Sequence, residues 1–324
     1  MAPTVSVVIP AYNAAAFIAA ALDSVFAQTR PADEVIVVND GSPDTPALEQ
    51  ALASCAGRIV LLTQENGGPS AARNRGVLAA RSEYVAFLDS DDTWVPTYLE
   101  TQLGILAAAP ADLLYSNGVI VGNTPEAGRQ LMSLSPSRGP ATFDALVTLR
   151  CTVLTSCVVA RRQALIDAGL FDPRFRRAED FHLWARVAHR GGLVRYHTAV
   201  LVRHTKRRGS LSHDEDLMTK GAIEVFEDLH RTLPLSPREA ALVSRQIRRF
   251  RSQLALRQGK RAFLVGDNAS AAAAIGRAAA LEPAFRFRTR LRALQAGLRL
   301  APGLLRRTYG MLRRPVPARQ TGGA

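Results

Sequence analysis

Short β-branched runs alternate with longer stretches of helical period through the first half of the chain. That pattern predicts an α/β fold, a mostly parallel sheet flanked by helices. VSVVIP (5–10) reads as a first strand, and AAAFIAAALDSVFAQ (14–28) as a helix with Phe17, Ala21, Leu22, Val25 and Phe26 on one face. DEVIVVND (33–40), IVLLTQ (59–64) and YVAFLDS (84–90) give three further strands. Between them, GSPDTPALEQALASC carries helix-start chemistry, and PSAARNRGVLAA (69–80) has Pro69 in its first turn. Four strands thus deliver their loops to one edge, where open α/β sheets bind ligands.

Farther on, PTYLETQLGILAAA (96–109) predicts a helix and DLLYSNGVIVG (112–122) a strand or hairpin. Residues 123–142 are loop-rich. TSCVVARRQALIDAG (155–169) reads as strand then helix, AEDFHLWARVAHRGG (178–192) as a helix ended by glycine, and VRYHTAVLVRH (194–204) as a strand. Past residue 214 the pattern is helical throughout. RAFLVGDNASAAAAIGRAAALEP (261–283) predicts helix, turn and helix, similar to one tetratricopeptide-type hairpin. In the last segment Leu291, Leu294, Leu298, Ala301, Leu305 and Leu312 form an apolar stripe set among arginines and broken by Pro302 and Gly303. The stripe suits a helix lying in a membrane interface, and equally a helix packed on the preceding domain.

Charge sharpens this division. Of 324 residues, 41 are Lys or Arg and 28 Asp or Glu, yet residues 1–214 hold 20 of each. The whole excess of +13 lies in residues 215–324, which favours an anionic partner, a membrane surface or a nucleic acid. Two regions are therefore expected, an α/β domain over 1–214 and a basic helical region over 215–324. The latter has few aromatics and no helix-turn-helix, RRM or zinc pattern, so no nucleic acid is expected. Cys55, Cys151 and Cys157 lack metal spacing or a pairing framework and read as core residues of a reducing compartment. With no signal-peptide pattern and no long apolar run, the expected location is cytoplasmic, at most peripheral on the inner face of the plasma membrane.

Candidate chemistry begins at AFLDSDDTW (86–94), where Asp89, Asp91 and Asp92 crowd one strand end. Like charges so close need a cation or strong donors, and oxygen-only ligands suit Mn²⁺ or Mg²⁺. Capping of the next helix by Ser90 or one aspartate would occupy only one such side chain. Asp40 closes the second strand in VVNDGS, where a carboxylate beside a permissive turn can accept from a base or ribose. NGGPSAARNRG (66–76) offers a helix N-terminus with Arg73 and Arg75 to an anion. Neither GxGxxG nor GxxxxGK[ST] occurs, against a dinucleotide-binding Rossmann enzyme and a P-loop nucleotidase. Glu179 and Asp180 open a helix, where the dipole favours acidic residues and where one of them can serve as a general base. VRHTKRRGSLS (202–212) gathers His204, Lys206, Arg207, Arg208, Ser210 and Ser212, suited to a diphosphate or its metal.

The order of PAYNA (10–14), VVNDGS, NGGPSAARNRG, AFLDSDDTW, FDPRF with AEDFHLW, and RH followed by SLS closely resembles family 2 glycosyltransferases, inverting enzymes of the GT-A fold, over residues 4–214. The resemblance implies that Pro10, Ala11, Tyr12 and Asp40 line a nucleotide pocket, with Arg73 near the nucleotide. It places Asp89, Ser90, Asp91 and Asp92 on the DxD-type motif, with Asp91 and Asp92 toward the metal and Asp91 as first choice. Glu179 and His204 join the donor site, and Asp180 matches the catalytic base. The implied donor is a nucleotide sugar, by default a UDP-sugar. The acceptor hydroxyl belongs to a saccharide, glycolipid or protein in cell-surface polysaccharide or glycolipid synthesis. A QxxRW-like signature is absent, which favours single addition over processive synthesis. The competing enzyme class, a sugar-phosphate nucleotidyltransferase, would carry a glycine-rich basic loop after the first strand, where this chain has AYNAAAF.

Overall fold

The computed structural model of the chain describes residues 3–207, 214–282, 284–303 and 305. Its elements, in order, are β1 (Val5–Ala11), α1 (Ile18–Phe26), β2 (Glu34–Asp40), α2 (Thr45–Leu52), β3 (Val60–Gln64), α3 (Gly68–Ala79), β4 (Tyr84–Phe87), β5 (Thr93–Trp94), α4 (Tyr98–Ala108) and β6 (Leu113–Val121). There follow α5 (Leu131–Leu134), α6 (Phe143–Val147), β7 (Val158–Arg161), α7 (Arg162–Asp167), α8 (Glu179–His189), β8 (Val194–Thr205), α9 (Glu215–Thr232), α10 (Pro237–Val265), α11 (Asn268–Leu281) and α12 (Phe285–Leu300).

One eight-stranded sheet has the order β3-β2-β1-β4-β7-β6-β8-β5. β3, β2, β1 and β4 run parallel, and the near-continuous apolar runs of β2, β1 and β4 are those of strands covered on both faces. β7 enters antiparallel between β4 and β6, β6 and β8 are parallel, and the two-residue β5 pairs antiparallel with β8. The edge strand β3 leaves Val60 and Leu61 exposed. Behind the sheet, Phe87, Phe171 and Trp184 meet with ring centroids 5.5–6.1 Å apart, and Trp94 stacks on Tyr98 at 4.0 Å. Such buried aromatics contribute several kcal/mol each, about 3–5 on truncation to alanine, and fix α8 against β4.

The chain forms two compact units, Met1–Ser244 and Arg245–Ala324. The sequence reading placed α9 with the basic region, but this helix packs on α8. Phe226 stacks on Phe181 at 4.9 Å, and Asp228 meets His182 Nε2 at 3.2 Å. In the second unit, Ala271, Ala272, Ile275, Ala278 and Ala279 of α11 form a small-residue core with Ala255, Leu291 and Leu298. The Gly-Asp-Asn turn expected there is present. Gly266 has φ +95° and Asp267 caps α11 by accepting from the Ser270 N–H at 2.9 Å.

Candidate active site

The carboxyl ends of β1, β2 and β4 converge, and hydrogen bonds between their loops shape the first wall. The Asn13 N–H donates to Ser42 Oγ at 2.7 Å and the Ala15 N–H to Asp44 Oδ2 at 2.9 Å, tying the loop after β1 to the one after β2. Ala11 is buried, Pro10 half-buried, and Tyr12 stands at the rim, 49% exposed. Asp40 is buried. Its Oδ1 accepts from Gln64 Nε2 at 2.7 Å and the Gly67 N–H at 2.9 Å, and its Oδ2 accepts from the Gly68 N–H at 2.8 Å. The residue that sequence reading set beside a base therefore also braces the start of α3. Gly41 is obligatory here, since its φ is +59° and a Cβ would lie 2.6 Å from the Asn66 nitrogen.

Arg73 reaches from α3 into a buried position between two carboxylates. Its Nη1 donates to Glu179 Oε1 and its Nη2 to Asp89 Oδ1, both at 2.8 Å. Burial disfavours its charge, but Asp89 and Glu179 outweigh that and hold the guanidinium above its ordinary value. α8 begins abruptly after Ala178, whose φ of +56° lies in the left-handed region, at a strain of roughly 1–2 kcal/mol. Glu179 then meets Arg73, and Asp180 engages Thr155 from the short turn before β7.

Asp180 Oδ2 accepts from Thr155 Oγ1 at 2.9 Å, and Oδ1 from the Phe181 N–H at 2.7 Å. Burial, followed by the adjacent Glu179 charge, raises its pKa to about 6, against opposing pulls from Arg73 and the two donors. Such a carboxylate is ionised at neutral pH and basic enough to take a proton.

The three crowded aspartates each find a different basic side chain. Asp89 holds Arg73, and its own N–H donates to Ser156 Oγ at 3.1 Å. Asp91 Oδ2 accepts from Arg207 Nε at 2.8 Å, and that guanidinium lies 4.5 Å over the Phe17 ring. Asp92, 1% exposed, accepts from the Thr205 N–H at 2.8 Å and has both oxygens 3.2 Å from His204 Nδ1. Burial disfavours a charged His204, yet the Asp92 carboxylate outweighs it and raises the imidazole pKa. Ser90 is half-buried between Asp89 and Asp91. Arg208, Ser210 and Ser212 lie outside the described residues.

Among the described residues, no three His, Cys, Asp or Glu side chains surround one point as a ready cage. Mn²⁺ and Mg²⁺ on diphosphates commonly use only one or two protein carboxylates, and the partly exposed carboxylates of Asp91 and Asp89 are of that kind. Asp92, expected from sequence as a metal ligand with Asp91, is buried and lies against His204 and the Thr205 N–H. Its position fixes the imidazole. Thr155 and Ser156 escaped sequence reading altogether, because they enter the site only through the antiparallel placement of β7.

The eight-stranded mixed sheet flanked by helices, with an acidic strand end beside a buried Arg–Glu pair, has the form of a GT-A-type fold. Residues 6–169, half of the chain, match the family model described as Glycosyl transferase family 2, and the chain belongs to that family as a glycosyltransferase. This decides against the nucleotidyltransferase reading. WfgD of Escherichia coli, a UDP-Glc:alpha-D-GlcNAc-diphosphoundecaprenol beta-1,3-glucosyltransferase, is 31% identical over 187 residues, 56% of this chain and 69% of that protein. An uncharacterized glycosyltransferase of Rickettsia felis is 28% identical over 207 residues, and the chain spans only 34% of its length. Among solved structures, Staphylococcus aureus TarS 1–349 in complex with UDP-GlcNAc has a TM-score of 0.62 at 20% identity, covering 91% of this chain and 87% of that one. The mannosyltransferase PcManGT of Pyrobaculum calidifontis, in complex with GDP-Man and Mn²⁺, has a TM-score of 0.60 at 21% identity, covering 96% and 84%. These structures establish the fold.

Proposed function

We propose that the chain moves one sugar from a nucleoside diphosphate sugar, a UDP-sugar as first expectation, to an acceptor hydroxyl with inversion at the anomeric carbon. The observation that carries this reading is Asp180, an ionisable base with its pKa raised to about 6, placed next to the Arg73–Glu179 pair. The acceptor hydroxyl gives its proton to Asp180 while its oxygen bonds to the anomeric carbon. The bond from that carbon to the diphosphate oxygen breaks, and the nucleoside diphosphate leaves with its electron pair. Inversion follows from the single displacement.

Thr155 and the Phe181 N–H fix the Asp180 carboxylate and leave it lone pairs with which to take the acceptor's proton. Arg73 holds Asp89 and Glu179 in register and keeps their charges compensated. Asp91, with Asp89, would hold a divalent Mn²⁺ or Mg²⁺, which supplies positive charge against the leaving diphosphate. His204, fixed by Asp92, adds a cationic donor on the same side. Catalysis is assigned to residues 1–214.

WfgD acts on a saccharide carried by a polyprenyl diphosphate, which supports a membrane-borne acceptor here, in assembly of a cell-envelope glycan, from the cytoplasmic face. No helix among the described residues is long and apolar enough to cross a membrane. A thermal-shift screen of nucleotide sugars with Mn²⁺ tests the donor, because a ligand stabilises the fold in proportion to its affinity. A midpoint raised by UDP-sugars and not by free sugars is expected, and no response to any nucleotide sugar would overturn the reading.

A further inference from the structure

Residues 245–324 hold 18 Lys or Arg and only two acidic residues, whereas residues 1–244 hold 23 basic and 26 acidic. The entire positive excess thus sits on the second compact unit. Its two acids are engaged at helix ends, Asp267 with the Ser270 N–H and Glu282 with the Ala284 N–H at 3.0 Å. Among the described residues, most of these basic side chains are exposed. On α12, Arg286, Arg290, Arg292 and Arg299 are exposed.

The apolar stripe of the same helix is wider than its packing covers. Leu291 and Leu298 are buried in the core of the unit. Phe287 and Leu294, two turns apart, remain 41% and 38% exposed, and Leu300 is 85% exposed. Arginines beside unpartnered Phe and Leu match a helix that lies in a bilayer interface, with its stem in the headgroup region. Single-stranded nucleic acid would call for stacking aromatics, and among the described residues of this unit Phe287 alone is an exposed aromatic.

We infer that α12 and the basic surface of its unit dock on an anionic lipid bilayer, with arginines over the headgroups and Phe287 and Leu294 in the interface. This deepens the proposed function, since it brings the enzyme to the plane of a lipid-carried acceptor, and it rests on that reading for its purpose.

The test is co-sedimentation of the full chain with phosphatidylcholine vesicles with and without phosphatidylglycerol, at low and high salt. Binding is expected only with phosphatidylglycerol and weaker at high salt. Each basic residue near such a surface is worth about fivefold in partition, so Arg290→Gln, Arg292→Gln and Arg299→Gln together should weaken binding about a hundredfold. Phe287→Ser with Leu294→Ser, both at exposed positions, should weaken it without altering the helical circular dichroism. Equal binding to neutral vesicles, no vesicle binding by the unaltered chain, or retention of a DNA duplex in place of vesicles would each overturn the inference. Transfer to a soluble acceptor, run in parallel, is expected to survive all five substitutions. Its absence in the unaltered chain would overturn the proposed function and leave the vesicle result standing.

Discussion

Replacing Asp180 with Asn separates a catalytic base from a structural carboxylate, because the two roles predict opposite changes in stability. The folded protein holds Asp180 at a pKa of about 6, against an ordinary 3.8, chiefly through burial and then through Glu179. A group whose pKa is raised on folding favours the folded state when protonated. Its contribution is full below about pH 4 and is lost as pH rises through 6. Two units correspond to about 3 kcal/mol, which partial solvent access to Asp180 lowers to about 1–2 kcal/mol. An Asn carries no charge, can still accept from the Phe181 N–H, and can donate to Thr155 Oγ1. Asp180→Asn should therefore raise the melting midpoint by roughly 3–6 °C at pH 7.5, and the gain should shrink toward zero at pH 4. Sugar transfer should fall by about 10²–10⁴-fold, and in the unaltered enzyme kcat/KM should climb as pH rises through 6. Differential scanning calorimetry at the two pH values, with turnover on the same samples, makes the comparison. A variant less stable at pH 7.5, or equally stabilised at both pH values, would refute the raised pKa, and retained turnover would refute the base.

Arg207→Ala removes the cation from Asp91 and should tighten Mn²⁺ binding in the absence of nucleotide by about fivefold, the worth of a partly exposed pair. Electron paramagnetic resonance titration reads this directly, and unchanged affinity would remove Asp91 as the ligand. Arg73→Met leaves Glu179 and Asp89 uncompensated and should cost about 3–5 kcal/mol in urea unfolding. It should also move the pH midpoint of any residual transfer upward, because Arg73 holds the Asp180 pKa down. Gly41→Ala should lose about 1–3 kcal/mol through its positive φ and its clash with Asn66, measured by thermal unfolding.

The parallel half of the fold was legible because β1, β2 and β4 are apolar on both faces and each is followed by turn residues and a helical period. The antiparallel half was less so. β7 reads as a strand in VVARR, but nothing local says that it inserts between β4 and β6, and only that placement sets Thr155 on Asp180. β5 has two residues, too few for any periodicity, yet it links the acidic loop to β8. α9 looked like part of the basic region because it is helical and follows a polar stretch. Its stacking of Phe226 on Phe181 ties it to the catalytic unit.

The crowding of Asp89, Asp91 and Asp92 led to the expectation of a divalent metal, since like charges at one strand end need compensation. The fold brings three basic side chains to them from distant positions, Arg73 on α3, His204 in β8 and Arg207 just beyond it, and no local spacing could pair them. They differ in how readily they exchange. The Arg73 side chain is 7% exposed and shared between two carboxylates, and Asp92 is sealed against His204. Displacing either would strand buried charge at a penalty of several kcal/mol. The Arg207 side chain is 35% exposed, so its release into water is nearly neutral. On the proposed metal site, a divalent ion would therefore have to replace Arg207 at Asp91, while the Arg73 and His204 pairs would stay in place.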